Sequence, residues 1–158
     1  MASWAEFAAA EPAMAQRVRE RLEAGAHKTL ATVRRDGGPR ISGNEAWIAA
    51  GELWFGVMPG AVRAADLRRD PRYALHTASG DPPGWAGDAT LSGRAEAVDD
   101  PERRADAVGA LEEVPEGPWH LFRGDLSEVL LVVMGDPPDH IEVTVWHPGA
   151  PPRRRLRR

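Results

Sequence analysis

Lys28-Thr29-Leu30-Ala31-Thr32-Val33-Arg34-Arg35-Asp36-Gly37-Gly38-Pro39-Arg40-Ile41-Ser42 is the stretch that decides the fold of this 158-residue chain. Thr29 to Val33 is rich in β-branched residues, Asp36-Gly37-Gly38 carries turn chemistry, and Arg40-Ile41-Ser42 resumes the extended pattern. Together they predict a β-hairpin. Glu52-Leu53-Trp54-Phe55-Gly56-Val57, after a turn near Ala50-Gly51, makes a third strand of the same meander. Beyond Met58-Pro59-Gly60 the period changes. Val62, Ala65 and Leu67 among Arg63, Arg68 and Arg69 predict a short helix that Asp70-Pro71 ends, and Arg72 to Thr77 reads as a fourth strand.

Upstream, Ser3-Trp4-Ala5-Glu6 has the form of a capping box, and Met14, Val18 and Leu22 repeat on one face between Pro12 and Gly25. Two N-terminal helices follow from this. Downstream, Ser79 to Gly87 is a Gly/Pro-rich loop carrying Trp85, and Ala89 to Val98 alternates as a strand. Asp100-Pro101 opens a helix to about Leu111, and Glu113 to Gly124 reads as irregular around Trp119 and Phe122. Ser127 to Met134 and His140 to Trp146 are the last strands. Six or seven mostly antiparallel strands with inserted helices give a mainly β class with α: a small barrel or curled sheet.

The composition narrows the function. No apolar run approaches the ~20 residues of a membrane helix, and no basic-then-apolar leader opens the sequence, so neither a span nor a secretory signal is expected. With no cysteine there is no disulfide, no thiolate zinc site and no iron–sulfur cluster, which points to the cytoplasm. The net charge of −4 becomes −9 without the five arginines of the last six positions. An acidic body argues against a broad nucleic-acid surface, leaving only a tail-driven contact through Pro151-Pro152-Arg153 to Arg158. A disordered, solvated terminus is the commoner fate of such a tail. Nineteen arginines to one lysine, Lys28, with abundant Ala, Gly and Pro, reflect GC-rich coding.

The five histidines are scattered without ligand spacing, so no metal site is expected, and the motifs of common hydrolases, P-loop enzymes and Rossmann dehydrogenases are missing. Trp47, Trp54, Trp119 and Trp146 read first as core or interface. Trp85, in a Gly/Pro loop, reads as a lid contact to substrate. Arg63 stands in the first turn of a helix that directly follows a strand, where free N–H groups and a partial positive charge favour a phosphate. The bland alternative is that Arg63, Arg68 and Arg69 merely solvate the helix.

The strand ending in Asp36-Gly37-Gly38-Pro39, the following Arg40-Ile41-Ser42-Gly43, and Arg63 ahead of Leu67-Arg68-Arg69-Asp70-Pro71-Arg72 resemble the pyridoxamine 5'-phosphate oxidase-like split-barrel superfamily. That resemblance implies an FMN-binding split barrel over residues 27–147, an N-terminal helical segment 1–26 and a basic tail 148–158. It further implies a homodimer with the cofactor, FMN or coenzyme F-420, in a cleft between subunits. The ring would lie along Arg40, Ile41, Ser42, Gly43 and Asn44, near Val57 and Met58, with the phosphate at Arg63. Asp88 stands where a ring-contacting Gln is common, and Ala61-Val62-Arg63 replaces the Ser-Arg-Lys of many oxidases. The implied activity is therefore hydride transfer between the cofactor and a small electron-poor molecule, with no protein acid or base required and no true pyridoxamine phosphate oxidase activity. The alternative on the same fold is a non-catalytic flavin or haem binder.

Overall fold

The computed structural model describes residues 1–81, 83–112 and 114–157. Pro82 of the expected loop, Glu113 of the expected irregular stretch and Arg158 of the basic segment lie outside them. Helices α1 (Trp4–Ala10) and α2 (Pro12–Glu23) precede β1 (His27–Val33), β2 (Pro39–Ala49) and β3 (Glu52–Val57). Helix α3 (Val62–Arg69) leads to β4 (Arg72–His76) and β5 (Asp88–Ala97). Helix α4 (Pro101–Gly109) leads to β6 (His120–Met134), β7 (Ile141–Trp146) and β8 (Arg153–Arg157). The strands form one antiparallel sheet in the order β3-β2-β1-β4-β5-β6-β7-β8. An additional β3–β6 pairing closes the first six into a barrel, which β7 and β8 extend.

Local chemistry sets the boundaries. Ser3 and Glu6 form the reciprocal capping box at α1, and Asp100 caps α4 by accepting from the Arg103 amide, with Pro101 in the first turn. The β1–β2 turn is tied by Gly38 N–H donating 2.9 Å to the Asp36 carboxylate. Ala50 and Gly51 form the two-residue β2–β3 turn with φ of 49° and 77°, the backbone twist that suits a tight hairpin.

Two apolar clusters hold the molecule. The larger fills the barrel and its N-terminal cover, uniting Leu30, Phe55, Leu75, Leu91, Phe122 and Leu131 with Phe7 and Val18; Phe7 stacks 4.7 Å from Trp146. The smaller lies outside the barrel under α4, where Trp54, Val98, Ala107, Leu111 and Leu121 meet.

Two sequence expectations change. The stretch read as irregular up to Gly124 contains the start of β6, and Leu53 to Val57 of β3 pairs with it. There Leu121 enters the outer cluster and Phe122 the barrel, so both faces are buried and no polar alternation marks a strand. The arginine segment, expected as a solvated terminus, pairs with β7 as β8 from Val145↔Arg153 to Ile141↔Arg157. Main-chain bonds place it, and these leave no trace in an apolar pattern.

Candidate functional site

Helix α3 and strand β2 are joined by two polar rungs. Strand alternation turns Arg40, Ser42 and Asn44 to one face, opposite Thr32, Leu30 and Lys28 of β1, and turns Ile41 and Gly43 to the other. On α3, Arg63, Asp66 and Leu67 fall at i, i+3 and i+4. Arg40 Nε donates 2.6 Å to the Asp66 carboxylate, and Arg63 Nε donates 2.9 Å to Asn44 Oδ1. Asn44 is itself fixed by donating 2.7 Å to the Glu45 carbonyl. Between the rungs Ser42 Oγ is buried and has no partner among the described residues.

Asp66 is the hub. It is 1% exposed, yet accepts from Arg40, from Arg69 at 2.9 Å and from the Thr32 hydroxyl at 3.2 Å. Burial pushes its carboxyl upward, but the hydrogen bonds from Arg40, Arg69 and Thr32 outweigh it and hold the group below the usual carboxylate range. Arg40 thus engages Asp66 through Nε.

Arg63 is differently placed. Half-buried, with its pKa lowered by that burial, it uses only Nε, and its terminal nitrogens take no partner among the described residues. The α3 N-cap, Ala61, supplies no side-chain acceptor and no acidic residue follows in the first turn. Unsatisfied helix N–H groups beside an oriented guanidinium are a donor set that fits a phosphate. The neighbouring segments leave large apolar side chains in water: Ile41 is 71% exposed, Met58 70% and Val62 57%. A ligand with an anionic end and an apolar body matches that arrangement.

The other expected residues are dispersed. Val57 packs into the core, so only its backbone faces outward. Asp88 accepts from the Ser79 hydroxyl at the start of β5, which β1 and β4 separate from β2, placing it on the order of 14 Å away in the same chain. Trp85 is half-buried and outside both apolar clusters. Arg68 makes a two-pronged ion pair to Asp99 at 2.6 and 2.7 Å, and Arg69 also donates to the Val33 carbonyl, so neither merely solvates α3. Trp54 and Trp146 are buried, and Trp47 packs 6.1 Å from Trp119.

Two residues escaped the sequence reading. Asp66 shares the helix face that carries Leu67 inward, a spacing that exposes it as a buried acid in need of partners. From the sequence Lys28 reads as the start of the opening strand and as the lone lysine, with no role at a site, and it lies buried at β1 opposite Asn44.

Residues 14–132 match the sequence profile described as pyridoxamine 5'-phosphate oxidase. No curated protein sequence matches the chain. Among solved structures it resembles a pyridoxamine 5'-phosphate oxidase-related, FMN-binding protein from Nostoc punctiforme, with 14% identity over 93% of this chain and 96% of that one and a TM-score of 0.62. It also resembles the FAD-binding protein from Mycobacterium smegmatis, with 17% identity, 72% and 91% coverage and a TM-score of 0.59. A haem-binding protein from the same organism matches at 22% identity over 73% of this chain and 52% of that one, with a TM-score of 0.58. The chain thus spans about half the length of that haem-binding protein. No helix among the described residues is long and apolar enough to cross a membrane. The profile match runs from α2 through most of β6, the same elements that close the barrel, and the chain belongs to the pyridoxamine 5'-phosphate oxidase-related split-barrel family.

Proposed function

We propose that this protein is a flavin- or deazaflavin-dependent oxidoreductase, holding FMN or coenzyme F-420 by its phosphate at Arg63 and the first turn of α3. The observation that carries the reading is the Arg63 guanidinium, aimed by Asn44 through Nε, its two terminal nitrogens unengaged among the described residues, beside a helix start with no side-chain cap. Asn44 prevents Arg63 from collapsing onto Asp66, which Arg40, Arg69 and Thr32 already satisfy. Ile41 and Gly43 offer the outward face of β2 to the ring, with Met58 as apolar cover that excludes water. When bound, the ring system supplies hydride acceptance and donation, and the chain supplies position.

The apolar exposure of Ile41, Met58 and Val62 supports a homodimer with the cleft between copies, in which Asp88 and Trp85 of one chain approach the β2 site of the other. The missing Ser-Arg of the phosphate loop, replaced by Ala61-Val62, removes two side-chain donors and supports an activity other than pyridoxamine phosphate oxidation.

Absorbance of the purified protein and mass spectrometry of any released chromophore test the cofactor, and sedimentation tests the dimer. A flavin or deazaflavin bound at one per chain in a dimer is expected. A monomer that binds the cofactor fully would overturn the shared cleft, and binding without turnover of any electron-poor acceptor would make the protein a carrier.

A further inference from the structure

Along Glu45 to Ala49 of β2 a cleft of about 530 Å³ opens between α2, the strand and the segment after α4. Its walls are polar and apolar in about equal measure. Leu22, Trp47 and Val114 line it, and the Trp47 indole is immobilised, since it covers Gly56 so closely that a Cβ there would stand 2.7 Å from the ring. Lys28, the only lysine of the chain, lines the same cleft while being 7% exposed. Its Nζ donates 3.2 Å to the Ala26 carbonyl and meets no other partner among the described residues. An ammonium has three donors to place, so this amine is under-satisfied and faces a space large enough for a ligand.

The charges lining the cleft select the class of ligand. Glu23, Glu45 and Glu112 outnumber Arg19 around Lys28, which disfavours a carboxylate or phosphate. Burial lowers the amine's pKa while Glu45 and Glu23 partly restore it, so the nucleophilic free amine is more accessible than on an exposed lysine. Lys28 is the cross-strand neighbour of Asn44, which holds Arg63, but the chemistry of the cleft does not depend on a phosphate at Arg63.

We propose that this cleft binds a small neutral aldehyde with an apolar body, which Lys28 captures reversibly as an imine. The lone pair of Nζ forms a bond to the carbonyl carbon, and the C=O π pair moves to oxygen, which takes up one of the two protons of the attacking amine. The resulting carbinolamine loses its hydroxyl with one further proton as water, while the nitrogen gives up a proton and forms C=N. Nothing is oxidised or reduced, and one water is released. Glu23 and Glu45, in the same lining, can ferry the proton between nitrogen and departing oxygen.

The test uses the full chain, benzaldehyde as probe and sodium cyanoborohydride to trap imines, with peptide mapping by mass spectrometry. Lys28 and the N-terminal amine are the only primary amines, so the site of the benzyl adduct is unambiguous. The adduct is expected mainly on Lys28 in the native protein, with that preference lost in urea. Trp47→Ala, which removes a wall and leaves the amine, is expected to cut the Lys28 adduct severalfold in protein whose circular dichroism is unchanged. Labelling confined to the N-terminal amine, equal Lys28 labelling in folded and unfolded chains, or an undiminished adduct in folded Trp47→Ala would each overturn the proposal.

Discussion

The Arg40 guanidinium reaches from β2 to within 2.6 Å of the Asp66 carboxylate on α3, a bond between residues twenty-six positions apart that fixes the helix against the sheet. Asp66→Asn is expected to destabilise the fold by about 1–3 kcal/mol. This is below the usual cost of breaking a fully buried pair, because Arg40 and Arg69 remain partly in water. The pH dependence has a definite sign. The folded pKa lies below the unfolded value, so the stabilisation is complete above the ordinary carboxylate range near ~4 and is lost as pH falls through the lower folded value. Urea midpoints of the two proteins should differ at neutral pH and converge in acid.

Arg63→Ala is expected to weaken FMN or F-420 binding by about 1.5–3 kcal/mol, the range for losing a hydrogen bond to a charged group, with the melting temperature nearly unchanged. Arg68→Ala is the control. Its exposed pair with Asp99 contributes at most about 1 kcal/mol to stability and should leave cofactor affinity alone. Equal affinity in Arg63→Ala and the parent would place the phosphate elsewhere.

Trp85→Ala separates lid from core. Because Trp85 is half-buried and outside both apolar clusters, the expected stability loss is below about 1 kcal/mol, whereas a core tryptophan would cost ~3–5. A raised KM or lowered kcat with unchanged cofactor affinity is the expected kinetic signature. A large fall in Tm at constant turnover would refute the lid.

His140 sits between two carboxylates, with Nδ1 2.7 Å from Asp139 and Nε2 3.5 Å from Glu142. The hydrogen bond to Asp139 holds its imidazole above the ordinary histidine value. A histidine with a raised folded pKa stabilises fully below the unfolded value and loses that contribution as pH rises through the folded one. An NMR titration should find the His140 midpoint above ~6.5, and Asp139→Asn should bring it down.

Gly93→Ala tests the barrel's bend. The β5–β6 register shifts between Ser92 and Gly93, and a Cβ on Gly93 would overlap the Asp125 carbonyl. Backbone cannot yield as a side-chain tip can, so a loss of at least ~1–3 kcal/mol is expected in the urea midpoint.

How far the sequence could be read follows from what each segment buries. The strand from Ala89, with one face in the barrel, alternates and was legible, as were β1 by its β-branched run Thr29 to Val33 and the helices announced by Ser3, Pro12 and Asp100. Leu121 and Phe122 were not, because neighbouring residues enter different cores. At the site, the phosphate-binding character of Arg63 could be inferred from its place after a strand. Its aim could not: Arg40, Asn44 and Asp66 converge only when β2 and α3 meet, so neither the Nε bond from Arg40 to Asp66 nor that from Arg63 to Asn44 shows in the sequence.

The arginines of β8 also bear on how the sheet ends. An edge strand exposes a row of unpaired main-chain groups and invites another chain to extend the sheet. Here Arg153, Arg155 and Arg157 project from one side of that edge and Arg154, paired with Glu142, from the other. A second copy approaching edge to edge would bring two guanidinium rows together, so the sheet terminates by mutual repulsion. That repulsion is a matter of ionic strength. At ~0.15 M salt it reaches about 8 Å and covers the spacing of a strand pair, but at 1 M it shrinks to about 3 Å, and the edge becomes open to growth.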